Sequence, residues 1–304
     1  MKFIRSIPMA FSGLGLALAA LGNLLLPHGA WLRYLCGILS AVILILFAFK
    51  LILDSPHARE EMKAPVPLSI LPTFTMAIML LSTYILPYVG FVAVVLWYVT
   101  VAAHLLIMLL FAKRFVLGFK LNTVFPSWFI AFVGIVVAAV TAPAMDALII
   151  GQAAFFMGFG LYFVALPLVI LRMKKVRIFP EPAQPTIAIF TAPMSLCIVG
   201  YFASFPERNT LLVYAMLTIA LASYIYVSIK MVSLLKIKFY PTYAAFTFPY
   251  VISAIAFRLG NAFLIEQGIY FFAPIAIVSE WIAIAAVLFV LVHYIRFFRF
   301  WLKF

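Results

Sequence analysis

The sequence is poor in charged residues, which make up only 10% of its 304 residues. A soluble domain of this size carries about 25% charged residues, so the composition excludes an ordinary soluble protein. Acidic residues are the scarcest, with eight in total, and Glu280 alone is expected well inside an apolar run. Cation pathways and proton relays usually contain carboxylates within the membrane. The shortage of acids therefore argues against both.

Cysteines and catalytic motifs are also scarce. Cys36 and Cys197 lie in apolar segments, where small buried side chains are expected rather than a disulfide or a metal site. No histidine stands at ligand spacing from a cysteine or carboxylate, and His104 is expected to be a hydrogen-bonded packing residue. Asp-rich, Gly-x-Ser-x-Gly and phosphate-binding Gly-rich motifs are missing too. We therefore predict no enzyme, no metal and no cofactor.

Apolar runs of 18 residues or more recur along the whole chain, and 68% of its residues are hydrophobic. Each run is long enough to cross a hydrocarbon core of about 30 Å. We predict an all-α integral membrane protein in which residues 1–304 form a single transmembrane channel domain without a soluble domain. The ten predicted helices cover residues 8–26, 31–53, 68–86, 89–112, 126–142, 146–172, 185–205, 209–235, 241–263 and 270–296.

Short links after the odd-numbered helices predict five antiparallel hairpins. Eighteen of the 21 lysines and arginines lie at the amino terminus or after an even helix, whereas Arg33, Arg208 and Arg258 lie toward the other side. Positively charged short loops stay in the cytoplasm, so we expect both termini to be cytoplasmic in a multi-pass protein of the cell membrane. This topology explains the net charge of +13, and no nucleic-acid partner is predicted.

A repeated proline marks the beginning of every odd helix. Each is preceded, two or three positions earlier, by Ser or Thr, and the five are Pro8, Pro72, Pro126, Pro193 and Pro249. Because all hairpins cross the membrane in the same direction, this is a parallel repeat about an axis along the membrane normal. We predict that the odd helices are bent by these prolines and form an inner ring around a central pore. The even helices then form a lipid-facing outer layer.

The predicted pore has no carboxylates in the middle of its helices. Ser, Thr, Gly and opened helix backbone would offer N–H and O–H donors, which suit anions that are held weakly enough to leave again. Arg258 and Glu280 are the two intramembrane charges, and they lie in consecutive helices. Three interpretations stay open: a structural ion pair, an arginine that reaches the outer surface, or attraction of anions by Arg258 toward the outer mouth.

Several short motifs together point to a known family. The first helix contains PMAFSG at residues 8–13, the fifth PSWF at 126–129, the seventh APMS at 192–195 and the ninth AFTFP at 245–249. In this order, with ten helices and broken odd helices, the chain resembles the tellurite-resistance and dicarboxylate transporter family. That family includes the bacterial TehA proteins and the plant slow-type anion channels.

The resemblance implies a homotrimer in which each protomer has its own pore. A phenylalanine of the ninth helix closes that pore in the family, and the matching residue is Phe248. A glycine of the first helix packs beside that ring, and Gly13 matches it. Phe125 precedes the fifth-helix proline at a position equivalent to Phe248, so it is a candidate second constriction.

Two functions remain open on these grounds. The first is a passive channel for small monovalent anions such as chloride and nitrate, which known members conduct. The alternative is a proton-coupled secondary transporter or exporter of C4-dicarboxylate, sulfite or tellurite-like oxyanions. The shortage of titratable residues in the odd helices favours the channel, and a scaffold role without flux is a third reading.

Overall fold

The computed structural model of the protein describes residues 2–176, 179–270 and 272–302, so Arg177 and Lys303, two of the eighteen basic residues, lie outside it. The described residues form helices and no strands. Among these residues, nine helices or helical segments in series are long and apolar enough to cross a membrane, and α5 consists of two shorter helical segments joined at Gly134 and Ile135. The helices are α1 Phe11–Leu25, α2 Ala30–Leu53, α3 Pro72–Val89, α4 Phe91–Phe115, α5 Trp128–Val133 with Val136–Thr141, α6 Leu148–Lys175, α7 Ala192–Ser204, α8 Thr210–Leu234, α9 Phe248–Glu266 and α10 Ala273–Leu302.

Burial separates the odd helices from the even ones. In the most apolar part of the spans that contain α1, α3, α7 and α9, 67–78% of the residues are buried. The corresponding share in the five even helices is 28–39%. The residues of α5 are also mostly buried. A helix that is apolar on all sides but buried belongs to the interior, and one that exposes apolar side chains suits a lipid environment. The predicted inner and outer layers are confirmed.

The inner helices form a closed ring. In order around it, α1 packs against α3, α3 against α5, α5 against α7, α7 against α9, and α9 against α1 again. Each odd helix also packs against the even helix that follows it in the chain, which gives the predicted hairpins. Five helices around one axis leave room between them, and this space is where the candidate site lies.

The repeated prolines stand at the beginning of the α-helical segments. Pro72, Pro193 and Pro249 occupy one of the first two positions of α3, α7 and α9, and Pro8 and Pro126 lie just before α1 and α5. Proline costs no helical hydrogen bond there, because the first N–H groups of a helix have no partner within it. The prolines therefore stand where the α-helical part of each odd helix begins.

Short helical segments precede three of these prolines within the ring. Pro65–Ile70 comes before α3, the 3-10 helix Glu181–Thr191 before α7, and the 3-10 helix Pro241–Phe246 before α9. In α9 the change from one helix type to the other falls at Thr247, whose backbone angles (φ −101°, ψ −82°) are not helical. Phe248 is consequently the first α-helical residue after the break.

Hydroxyl groups near the prolines join neighbouring inner helices. They form three buried pairs, with oxygen–oxygen distances of 2.7, 2.6 and 3.0 Å: Ser12 with Thr73, Ser69 with Ser127, and Ser195 with Ser253. Most of these hydroxyls also bond a carbonyl of the preceding turn. We expected such hydroxyls to face the pore, and that expectation is wrong for these serines. A hydroxyl left in an apolar interior needs a partner, and the adjacent helix supplies one.

Candidate functional site

Two cavities lie within the ring of odd helices. We call one of them the N-side cavity, because residues near the amino-terminal ends of the odd helices line it. The other, the C-side cavity, lies further along the same helices. All five odd helices contribute to both, and no described residue of an even helix lines either one. Their position on the ring axis matches that of the predicted pore.

Lining residues recur at helical spacing, so each odd helix turns one narrow face toward the axis. On α1 and the turn before it, this face carries Ala10, Gly13, Leu16, Ala20 and Asn23. Residues three and four apart lie on one side of an α-helix, and the other odd helices follow the same pattern. Their lining residues include Ile70, Thr73, Met76 and Leu80 on and before α3, Ile130, Val133, Val137 and Val140 on α5, Ala192, Leu196 and Val199 on α7, and Ala245, Phe248, Ile252 and Ile255 on and before α9.

Phe248 belongs to the walls of both cavities. Only Phe248 and Leu196 line both of them, and Phe248 is 7% exposed. The break at Thr247 places the phenyl group of Phe248 at the amino-terminal end of α9. There it faces the space enclosed by the five inner helices. The Thr247 hydroxyl donates to the carbonyl of Ala244 at 2.6 Å, and the Thr247 N–H donates to the same carbonyl at 3.2 Å.

The lining is almost entirely apolar. Thr73 and Thr242 are the polar side chains around the N-side cavity, and Asn23 is the one around the C-side cavity. The Thr242 hydroxyl donates to the carbonyl of Pro182. No charged side chain of the described residues lines either cavity. A small ion in this space would therefore meet no strong ligand.

Helix ends give the N-side cavity an electrostatic character that its side chains lack. The five inner α-helices begin at Phe11, Pro72, Trp128, Ala192 and Phe248, each within a few residues of the cavity lining. An α-helix carries the equivalent of about +0.5 elementary charge at its amino-terminal end. In α3, α7 and α9 the carboxyl-terminal end of a shorter helical segment meets the same break and offsets part of this charge. The helix ends therefore favour an anion over a cation there less strongly than five free ends would.

A comparison with protein families identifies the chain. The family model described as SLAC1, voltage-dependent anion channel, matches residues 4–295. The chain belongs to this family. No curated protein matches it individually. The family consists of anion channels and transporters, so this member of the SLAC1 family is a multi-pass membrane protein whose substrates are anions. The resemblance inferred from the motifs is confirmed.

Gly13, which the family resemblance assigns to contact with the gate, lines the N-side cavity together with Phe248. A Cβ atom added to Gly13 would meet Ala244 Cβ at 3.4 Å, and no other atom outside its own helical turn within 4 Å. Alanine would fit at this position, whereas a larger side chain would extend along the cavity wall. The predicted packing of Gly13 against the ring of Phe248 stays a prediction, because the nearest neighbour at that point is Ala244.

Phe125 does not line either cavity of this SLAC1-family protein. Its ring lies 4.6 Å from Cζ of Arg172 and meets Phe179 edge-on at 5.6 Å. The second constriction at Phe125 stays a prediction that these two cavities do not support. Pro126 precedes the first turn of α5, and the lining of α5 begins only at Phe129, so the equivalent repeat position falls outside the cavity.

Arg258 and Glu280 do not form the ion pair that the sequence suggested. Glu280 Oε1 lies 2.6 Å from Nε2 of His28, and Arg258 donates through Nη1 to the carbonyl of Leu24 at 2.6 Å. Among the described residues, no ion pair within 4.0 Å joins Arg258 to a carboxylate. The sequence shows both charges but not the loop after α1, which brings His28 to Glu280.

Sequence reasoning missed Asn23 and Arg33 at the end of α1. Arg33 Nε donates to Asn23 Oδ1 at 3.0 Å, and its guanidinium carbon lies 4.1 Å from the ring centre of Tyr84. Asn23 lines the C-side cavity. Two guanidinium groups, those of Arg33 and Arg258, thus contact the carboxyl-terminal turn of α1. The one available signal was that both belong to the three basic residues on this side of the membrane.

Proposed function

We propose that this protein is a channel that conducts small monovalent anions, such as chloride and nitrate, passively through the space inside each protomer's ring. The observation that carries the proposal is an apolar cavity, without a charged side chain among the described residues, at which the α-helical part of each inner helix begins. Helix ends raise the local anion concentration, and a lining without charged ligands lets each anion leave again. Conduction needs both properties.

The coupled carrier of C4-dicarboxylates is less favoured by the same cavity. Proteins recognise carboxylates most strongly through Arg or Lys side chains, often by paired hydrogen bonds. No Arg or Lys among the described residues lines either cavity, and Thr73 and Thr242 are the only hydroxyl groups on the N-side wall. A divalent organic anion would lose much of its hydration there and gain few partners in return.

We infer that Phe248 is the gate. Its position between the two cavities and its low exposure support this role, as does the family resemblance. Opening requires the ring to leave the axis, and the adjoining cavity space can receive it. We also infer that Arg33 and Arg258 draw anions toward the C-side mouth, because both guanidinium groups lie at the end of α1 beside that cavity.

The proposal also includes the orientation of the channel in the membrane and its oligomeric state. With positively charged loops in the cytoplasm, the N-side cavity opens toward the cytoplasm and both termini lie there, in the cell membrane. We propose a homotrimer in which each protomer keeps its own pore. The even helices, whose spans are 28–39% buried, offer apolar surface both to lipid and to neighbouring protomers.

Flux measurements in liposomes test the function directly. Purified protein is reconstituted, and uptake of chloride, nitrate, malate and sulfite is compared at equal protein content. We expect electrogenic chloride and nitrate flux that grows with the driving force, single-channel steps in planar bilayers, and little malate flux. Saturable malate or sulfite flux that moves protons in fixed ratio would replace the channel with the coupled carrier.

A further inference from the structure

His104 belongs to an outer helix, α4, yet its side chain is fully buried. Its Nδ1 lies 2.8 Å from the Thr75 hydroxyl oxygen on α3. Its Cε1 lies 3.2 Å from the point that a Cβ on Gly134 would occupy, and Met76 Sδ lies 2.8 Å from that point. Gly134 and Met76 both line the cavity. The imidazole is therefore separated from the cavity by little more than the backbone of Gly134.

The two hydrogen bonds of the Thr75 hydroxyl favour one neutral tautomer of His104. The Thr75 hydroxyl donates its single proton to the carbonyl of Pro72 at 2.8 Å. When that proton stays directed at the carbonyl of Pro72, Nδ1–H of His104 donates and the threonine oxygen accepts. Nε2 is left with a lone pair, and it has no hydrogen-bond partner among the described residues. A buried polar atom in this state is uncommon and needs an explanation.

Nothing charged stands near this nitrogen to serve as its partner. The elements packed against α4 are α3, α5 and the segment Pro65–Ile70. The α5 segments and Pro65–Ile70 contain no titratable residue, and α3 contains only Tyr84, whose hydroxyl donates to the carbonyl of Ala19, and Tyr88 near its far end. On α4 itself, Lys113 and Arg114 lie more than two turns away from His104.

We propose that His104 takes up a proton at Nε2 when an anion occupies the N-side cavity, which makes proton binding and anion binding favour each other. This inference rests on the proposed function, since it requires anions in that cavity. The proton comes from water and no other bond changes. A buried imidazolium is costly without a counter-charge, and an anion across the Gly134 backbone supplies one. By linkage, a lower pH then raises anion occupancy and flux.

The pH dependence of flux tests this site. We expect chloride flux in liposomes to rise about tenfold from about pH 8 to about pH 5, within the usual range of coupling between two sites. His104→Gln keeps a polar side chain of similar length but cannot carry the charge, so its flux should stay nearly constant. The matched control is His57→Gln, which removes an exposed histidine outside the membrane helices and should keep the wild-type profile.

The outcomes separate this inference from the proposed function. Absence of anion flux in the wild type at every pH would refute the channel itself. Flux that is present but equally pH-dependent in His104→Gln and in the wild type would refute the role of His104 alone.

A spectroscopic measurement keeps the inference testable if His104→Gln does not fold. Nitrogen-15 spectra of labelled histidine, recorded on wild-type protein in liposomes, distinguish the two neutral tautomers from the imidazolium. The His104 signal is assigned by replacing the other three histidines. We expect the Nδ1–H tautomer without chloride or nitrate, and protonation of Nε2 on acidification only when one of them is present. An Nε2–H tautomer, or a signal indifferent to the anion, would overturn the proposal.

Discussion

Replacing Phe248 with alanine removes the ring that stands between the two cavities. The remaining wall at this level includes Leu196, the only other residue that lines both cavities. With the ring absent, the N-side and C-side spaces join along the axis. We therefore expect Phe248→Ala to conduct anions without the gating step that the wild type requires.

The size of the effect follows from the burial of the ring. Phe248 is 7% exposed, and burial of a phenylalanine side chain contributes about 1.5–3 kcal/mol. Much of this packing is lost when the ring swings off the axis, so the closed arrangement is favoured about 10- to 150-fold. Phe248→Ala abolishes that preference, and its current per folded protein should rise about 10- to 100-fold at the same driving force.

The assay compares macroscopic current in planar bilayers for the wild type, Phe248→Ala and Phe246→Ala. Phe246 is fully buried two residues earlier, its ring 4.7 Å from that of Tyr243, and it lines neither cavity. Both substitutions should destabilise the fold by up to about 3–5 kcal/mol, so current is normalised to monomeric, folded protein. An unchanged current in Phe248→Ala, or an equal rise in Phe246→Ala, would refute the reasoning.

Substitutions at three further positions distinguish residues that affect conduction from residues that only stabilise the fold. Gly13→Ala should conduct normally in liposome flux assays because its Cβ only touches Ala244, whereas Gly13→Asp should reduce chloride flux about tenfold or more by placing a carboxylate on the wall. Phe125→Ala should leave single-channel conductance unchanged but lower the melting temperature, because it should reduce the free energy of unfolding by about 3 kcal/mol. A changed single-channel conductance would show that Phe125 does line the pore. Arg258→Gln should lower chloride current several-fold at low ionic strength and less at high salt, because its charge at the mouth is screened; a salt-independent loss would indicate a structural role for its bond to Leu24.

The ten helices, their pairing and the inner ring could be predicted because each rests on a pattern that the bilayer enforces. An apolar run must be a helix, because backbone polar groups find no partner in lipid. Short links require antiparallel neighbours, and a proline at the same place in five hairpins identifies the inner layer. The position of Phe248 followed from the same repeat together with its motif.

The proline repeat does not predict how far a side chain lies from the pore axis or in which direction it points. Phe125 and Phe248 both precede a proline, but Pro126 lies before its helix begins, whereas Pro249 follows the 3-10 segment Pro241–Phe246 already inside the ring. A one-turn difference in where the α-helix begins moves a ring from the axis into contact with Arg172. Partners such as His28 for Glu280 also depend on loop geometry, which a single sequence does not encode in any visible pattern.

The distribution of polar groups explains how an apolar pore can still favour anions. Serine hydroxyls of the inner helices form hydrogen bonds between neighbouring helices, as Ser195 and Ser253 do at 3.0 Å. Few of these hydroxyls therefore remain to bind an ion tightly. Attraction comes instead from helix amino termini behind the lining and from guanidinium groups at the C-side mouth. These act over several ångströms without coordinating the ion. An anion in this pore must lose water and gains no close ligand, so weakly hydrated nitrate should pass more readily than chloride. A single apolar phenyl group can serve as the gate of this apolar pore, because it closes the pore by filling the space through which water and anions would pass.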